Sequence, residues 1–309
     1  MEDLMQFLRE EGLSEDVLHE VHEYAVSHPV SDAMKQRIPV PHFMYYGVNV
    51  WEDALCALLC GKNILLVGEK ATGKNVLCEN LACIFQRPSW DISFHVNMDA
   101  ASLIGTDSFE NGSVVFREGP VYKCAVNGGF GILDEINMAK NEALAVLHSV
   151  LDFRRVIDVP GYDRIILKDE TRFIATMNYN YAGTRELNEA LSSRFVVIQM
   201  PPITQEDLQR LLKNQFPDML DKYVKQFALL FLDFQKKCEN TELSTKALDL
   251  RGMLDAIDLM HKGLSVKEAL DLGITNKTFD MYEKQLIHDV INAGSLLNYC
   301  LLRYFDENV

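Results

Sequence analysis

No apolar run in the chain approaches the roughly 18 residues that a membrane-crossing helix needs, and its start, Met1-Glu2-Asp3, lacks the basic residues of a signal peptide. A cytoplasmic protein with no membrane partner is expected. Positive charge is also scarce, with 30 Lys and Arg against 45 Asp and Glu and a net charge of −15. That balance opposes unguided attraction to DNA, RNA or anionic lipid, so nucleic acid is an unexpected partner. The seven cysteines are odd in number and form no C-x-x-C pair. Neither a disulfide framework nor a zinc site is indicated, and Cys56, Cys60, Cys78, Cys83, Cys124, Cys238 and Cys300 are expected as reduced core thiols. His19 and His22, flanked by Glu20 and Glu23, read as a solvated helix face rather than a metal site. No internal repeat or low-complexity tract is present. What remains, 309 residues with 48% hydrophobic and 24% charged side chains, is an ordinary globular composition with room for two domains or one large one.

The strongest local pattern is Gly68-Glu69-Lys70-Ala71-Thr72-Gly73-Lys74-Asn75, a phosphate-binding loop in every position but the last, where Asn75 replaces Ser or Thr. Its glycines let backbone N–H groups close around a polyphosphate, Lys74 can reach the outer phosphates, and a helix beginning at Gly73 would turn its positive end to the same charge. Asn63 to Val67 before it reads as a buried parallel strand. After it, Val76, Leu77, Leu81, Ala82 and Ile84 keep helical spacing. Strand, loop and helix thus follow the required order, and residues 68 to 76 are the candidate nucleotide contacts: Gly68, Glu69, Lys70, Ala71, Thr72, Gly73, Lys74, Asn75 and Val76.

Residues 1–47 read as a helical appendage ending in the breakers Pro29, Pro39 and Pro41. From 48 to 200, strands alternate with helices, the pattern of a parallel sheet covered on both faces. Helices are expected at 51–59, 74–85 and 141–151, and strands at 64–67, 92–96, 131–134, 172–177 and 195–199. Two hairpins are expected as insertions, 108–116 around Asn111-Gly112 and 155–167 around Pro160-Gly161. Past Pro201-Pro202 only helices are indicated, in a small domain over 201–309, with capping boxes at Thr204/Asp207 and Ser265/Glu268 and broad apolar faces at 218–239 and 276–304.

Nucleotide hydrolysis needs a second acidic element at the end of a neighbouring strand. Gly131-Ile132-Leu133-Asp134-Glu135 supplies it, with Asp134 to hold Mg²⁺ and Glu135 to orient and deprotonate water. Asn178 ends the next strand, where it can meet the γ-phosphate or the water. Arg194, in Leu191-Ser192-Ser193-Arg194-Phe195, has no obvious acidic partner in sequence; in a ring it could serve the γ-phosphate of the next subunit.

Together, Gly68 to Asn75, Leu133-Asp134-Glu135-Ile136-Asn137, Thr176-Met177-Asn178 and Leu191-Ser192-Ser193-Arg194-Phe195 resemble the MoxR type of AAA+ ATPases, which includes the ATPases that activate nitric oxide reductase and Rubisco. The resemblance implies an α/β P-loop NTPase fold, a three-layer sandwich with a parallel sheet followed by a helical lid. It further implies ATP and Mg²⁺ as cofactors, a homo-oligomeric ring that is usually hexameric, a client protein that is remodelled or activated, and a partner with a von Willebrand factor A domain. The hairpins would then line or cap the ring, with Phe109, Phe116 and Tyr162 against the client or holding the hairpins together. The chain departs from the pattern at Asn75, which puts an amide oxygen where a hydroxyl should meet Mg²⁺, and in the lid. There Ser244-Thr245-Lys246 stands for Ser-x-Arg, so Lys246 or Arg251 would be the lid's phosphate sensor. Two alternatives are a nucleotide-gated assembly module with little hydrolysis, and a GTP-using motor subunit of a restriction-type system.

Overall fold

The computed structural model describes residues 1–110, 112–159, 161–179 and 186–293. The chain divides into two units, Met1–Pro201 and Pro202–Val309.

The first unit is built on five parallel strands. β1 (Ile64–Val67) is flanked on one side by β8 (Arg172–Met177) and on the other by β9 (Val196–Gln199), and the sheet runs β2-β5-β8-β1-β9, with β2 at Ser89–Ser93 and β5 at Phe130–Asp134. All four residues of β1 are buried, as expected of a strand covered on both faces. Ile64 and Leu66 face one apolar cluster, and Leu65 and Val67 face the other. The first cluster contains helices α4 (Val48–Leu59) and α5 (Lys74–Ile84), and the second contains α6 (Ala100–Ile104), α7 (Pro120–Asn127), α8 (Asn141–Leu144) and α9 (Leu147–Leu151). The result is the expected α/β architecture with a parallel sheet between helical layers.

The N-terminal residues fold as α1 (Glu2–Glu10), α2 (Glu15–Ser27) and α3 (Asp32–Lys35). Leu4, Leu8, Leu18 and Val21 lie in the same cluster as Trp51, Leu55 and Phe85, so the first two helices complete the core of this unit.

Several boundaries differ from expectation for local reasons. The strand expected at 92–96 starts at Ser89, because Trp90, Ile92 and Phe94 alternate inward along the sheet edge and the pairing with β5 ends at Ser93↔Asp134. The helix expected at 141–151 is broken, with His148 N–H reaching Ala145 O at 3.3 Å in place of the α-helical partner. Cys56 and Cys60 are exposed, since α4 buries Trp51, Ala54, Leu55 and Leu58 and turns both thiols outward.

Both hairpins form. β3 (Gly105–Glu110) pairs antiparallel with β4 (Ser113–Glu118), and β6 (Val156–Ile157) pairs with β7 (Ile165–Ile166). Asn111 and Pro160, expected in their turns, lie outside the described residues. The hairpins touch: Tyr162 Oη donates to Asp107 Oδ1 at 2.5 Å, and the Phe116 and Tyr162 ring centroids are 4.9 Å apart. Phe116 is thereby packed between hairpins, while Phe109 stays 75% exposed.

The short α10 (Glu189–Ser192) precedes β9. In the second unit the described elements are helical: α11 (Gln205–Gln215), α12 (Asp221–Glu239), α13 (Leu250–His261), α14 (Val266–Gly273) and α15 (Met281–Ala293). Ser265 and Glu268 form the reciprocal box. At Thr204 only half of it forms: the hydroxyl caps Asp207 N–H at 3.1 Å, and Asp207 turns its carboxylate to that hydroxyl rather than to the Thr204 backbone. Residues 294–304 of the expected last apolar segment lie outside the described residues. Among the described residues no helix is long and apolar enough to cross a membrane.

Candidate active site

The site gathers at the carboxyl ends of β1, β5 and β8. Between β1 and α5 the loop folds tightly, with Ala71 at φ 65° and Gly73 at φ 81°. At Gly73 a side chain would also press on the Tyr45 ring, 3.0 Å from an added Cβ. Lys74 is 8% exposed. Its ammonium donates to Gly68 O at 3.0 Å, Glu69 O at 2.6 Å and Thr72 Oγ1 at 3.2 Å, which holds it inside the curve of the loop. Burial lowers its pKa from 10.5 to about 8, against the opposing pull of Asp134 and Glu135. A buried cation held by carbonyl and hydroxyl acceptors is suited to a polyanion, which would keep it charged to higher pH.

Across the loop, Asp134 accepts two side-chain hydrogen bonds. Oδ1 takes the Thr176 hydroxyl at 2.6 Å, and Oδ2 takes Asn75 Nδ2 at 3.3 Å. Glu135 stands at φ 54°, a left-handed conformation unusual for a residue with a side chain. Its N–H donates to Thr176 Oγ1 at 3.0 Å, and its Oε1 accepts Asn178 Nδ2 at 3.1 Å. Asn178 is itself anchored, its carbonyl accepting Asn137 Nδ2 at 2.9 Å. Lys74, Asn75, Asp134, Glu135 and Asn178 are therefore joined through one set of electrostatic and hydrogen-bonded contacts.

The donor set fits a divalent cation beside a polyphosphate. Asp134 and the Asn75 amide offer hard oxygens, and among the described residues no group of three or more His, Cys, Asp or Glu forms a cage. A Mg²⁺ ion held by one or two protein oxygens and completed by phosphate and water matches that inventory.

Arg194 has an acidic partner after all. Its Nη2 lies 3.6 Å from Asp152 Oδ2, its Nε donates to His148 O at 3.2 Å, and its Nη1 donates to Ala190 O. Asp152 comes from the end of α9, far enough back in sequence to escape a local search, and it also binds Arg154 at 2.7 Å. The Arg194 side chain is 23% exposed, so it is tethered but not sealed from solvent.

Lys246 and Arg251 lie in the second unit. Lys246 falls in the turn before α13 and not at the start of a helix, because Asp249 is the residue that caps α13 through Gly252 N–H. Arg251 occupies the first turn of α13, and both side chains are exposed.

Three contributors escaped sequence reasoning. Thr176 and Asn137 lie within the strand-end motifs, and polarity within apolar surroundings is the signal that marks them. The third, Asn80, is fully buried on α5 and clasps the segment before α4, accepting from Tyr45 N at 2.9 Å and donating to Phe43 O at 2.9 Å.

Residues 63–195, which hold the loop, the acidic pair, Asn178 and Arg194, match the AAA domain of the dynein-related subfamily. Over 283 residues the chain is 34% identical to YojN of Bacillus subtilis, an uncharacterized protein, covering 90% of this chain and 92% of that one. The chain belongs to the AAA ATPase family. An uncharacterized Staphylococcus aureus protein, SAB1265c, is 34% identical over 260 residues, covering 82% of this AAA protein and 98% of its own length. A crystal structure from Cytophaga hutchinsonii aligns over 94% of this chain and 96% of its own, with 15% identity and a TM-score of 0.44, too loose a likeness to argue from.

Proposed function

We propose that this AAA protein hydrolyses Mg-ATP in a ring of identical subunits, hexameric as in the MoxR type it resembles, and uses the cycle to remodel or activate a client protein together with a von Willebrand factor A domain partner. The observation that carries the hydrolytic part is the Asn178–Glu135 hydrogen bond of 3.1 Å beside the loop that holds Lys74. It aims one carboxylate oxygen and leaves the other for a water molecule. In this reading Lys74 and the loop N–H groups bind the phosphates, and Asp134 with Asn75 takes the metal, which neutralises charge on the phosphates. Glu135 accepts the proton as the water oxygen bonds to the γ-phosphorus and the bond to the β–γ bridging oxygen breaks. Arg194 reaches the γ-phosphate of the adjoining subunit. Phe109, Val114 and Val115, exposed together on the first hairpin, support a protein client.

A second reading, a nucleotide-gated assembly module with slow turnover, is favoured by Asn75, whose amide already binds Asp134 at 3.3 Å and must shift to share a cation with it. Steady-state phosphate release with ATP and GTP, with and without Mg²⁺ and over a range of protein concentration, separates the readings. Mg-dependent ATP turnover that rises with assembly supports the proposal. Assembly by ATP without turnover supports the second reading, and GTP preference stimulated by DNA would favour a restriction-type motor.

A further inference from the structure

β8 is an apolar strand, Phe173, Ile174, Ala175 and Met177, interrupted by Thr176, which is 1% exposed. Valine would fill the same volume and suit a buried strand better, so the hydroxyl must find partners or carry a desolvation penalty. It finds two, and both belong to the acidic pair. Thr176 Oγ1 donates to Asp134 Oδ1 at 2.6 Å and accepts from Glu135 N–H at 3.0 Å.

Its place in the sheet explains the bridge. The ladder between β5 and β8 runs from Phe130↔Arg172 to Leu133↔Ala175 and stops there. One residue further on, the Thr176 hydroxyl takes the Glu135 N–H and holds that residue in its left-handed turn of φ 54°. The same atom fixes the rotation of the Asp134 carboxylate, whose other oxygen, among the described residues, accepts only the long Asn75 contact of 3.3 Å.

We propose that Thr176 is a positioning residue for the hydrolytic reaction, orienting the metal-binding carboxylate of Asp134 and the backbone that presents Glu135 through one hydroxyl. The inference rests on the Mg-ATP reading above. It assigns to Thr176 an orienting role that Asn75, lacking the usual hydroxyl, shares only weakly.

The test compares wild type, Thr176→Val and Thr176→Ser, using a fluorescent ATP analogue for binding and phosphate release for turnover. Thr176→Val is expected to bind the analogue like wild type without metal. It should then need roughly 10- to 100-fold more Mg²⁺ to reach the same gain in affinity, the usual effect of removing a group that orients a metal ligand. Its kcat falls, whereas Thr176→Ser, which keeps the hydroxyl, restores most of both properties. If Thr176→Val does not fold, Thr176→Cys carries the same comparison, with a weaker donor of similar size. Equal loss of binding with and without Mg²⁺, or an unchanged Mg²⁺ titration in a folded variant, would overturn the inference while leaving the Mg-ATP reading intact. Failure of wild type to bind the analogue would overturn both.

Discussion

Lys74 sets a pH dependence of its own. Its folded, ligand-free pKa of about 8 lies below the 10.5 of an ordinary lysine, and the main cause is burial. Between those values the unfolded chain binds more protons, so this residue weakens the ligand-free fold below about pH 8 and the penalty is relieved as pH rises. Phosphates beside the ammonium would return its pKa upward. Nucleotide binding should therefore take up a proton above pH 8, and affinity should fall by up to roughly tenfold per pH unit there. Calorimetry in buffers of different ionisation enthalpy reads the proton directly, and an affinity flat from pH 7 to 10 would contradict it. Glu135 and Asn178 were legible at this scale because each ends a strand beside a recognisable loop. Asp152 was not, since its link to Arg194 exists only once the chain brings the end of α9 beside the turn after α10, and Thr176 had nothing but polarity to mark it.

At the scale of elements, the close approach of α13 and α14 offers a stability test separate from chemistry. A Cβ on Gly252 would stand 2.1 Å from Gly273 O, a backbone atom that cannot step aside. Gly252→Ala should cost about 1–3 kcal/mol as an overpacking defect, lowering the thermal midpoint of the second unit. An unchanged midpoint would show that the helices separate freely. Elements with strong periodicity or a complete motif were readable: β1, α5, β8 and both hairpins stand at or within a few residues of their expected places. The edge strand β2 was misplaced because alternation along a half-covered edge does not mark its own ends. α7 has no expected counterpart, because eight residues between the first hairpin and β5 carry too short a period to stand out, although Pro120 occupies the first helical position, where its missing N–H costs nothing.

At the scale of the whole molecule, the proposed ring makes Arg194 act on a neighbour's nucleotide. Arg194→Ala should lower turnover by about 1,000-fold or more while leaving nucleotide binding in place, and Glu135→Gln should be inactive for a different reason. Mixed together, the two variants should regain activity, because some interfaces then pair an intact Arg194 with an intact Glu135. No recovery in a mixed assembly would mean that Arg194 works within its own chain, or that its tie to Asp152 is only structural.

In the proposed cycle Glu135, held by Asn178 and Thr176 beside the Lys74 loop, is the base that activates water for ATP hydrolysis. The most direct measurement follows ATP binding and phosphate release on the same samples of wild type and Glu135→Gln, with and without Mg²⁺. Mg-dependent release by wild type is expected, and for the variant full ATP binding with turnover reduced by at least about 100-fold, the usual worth of a positioned general base. Equal turnover in the two proteins, or ATP binding lost together with turnover in a folded variant, would contradict it.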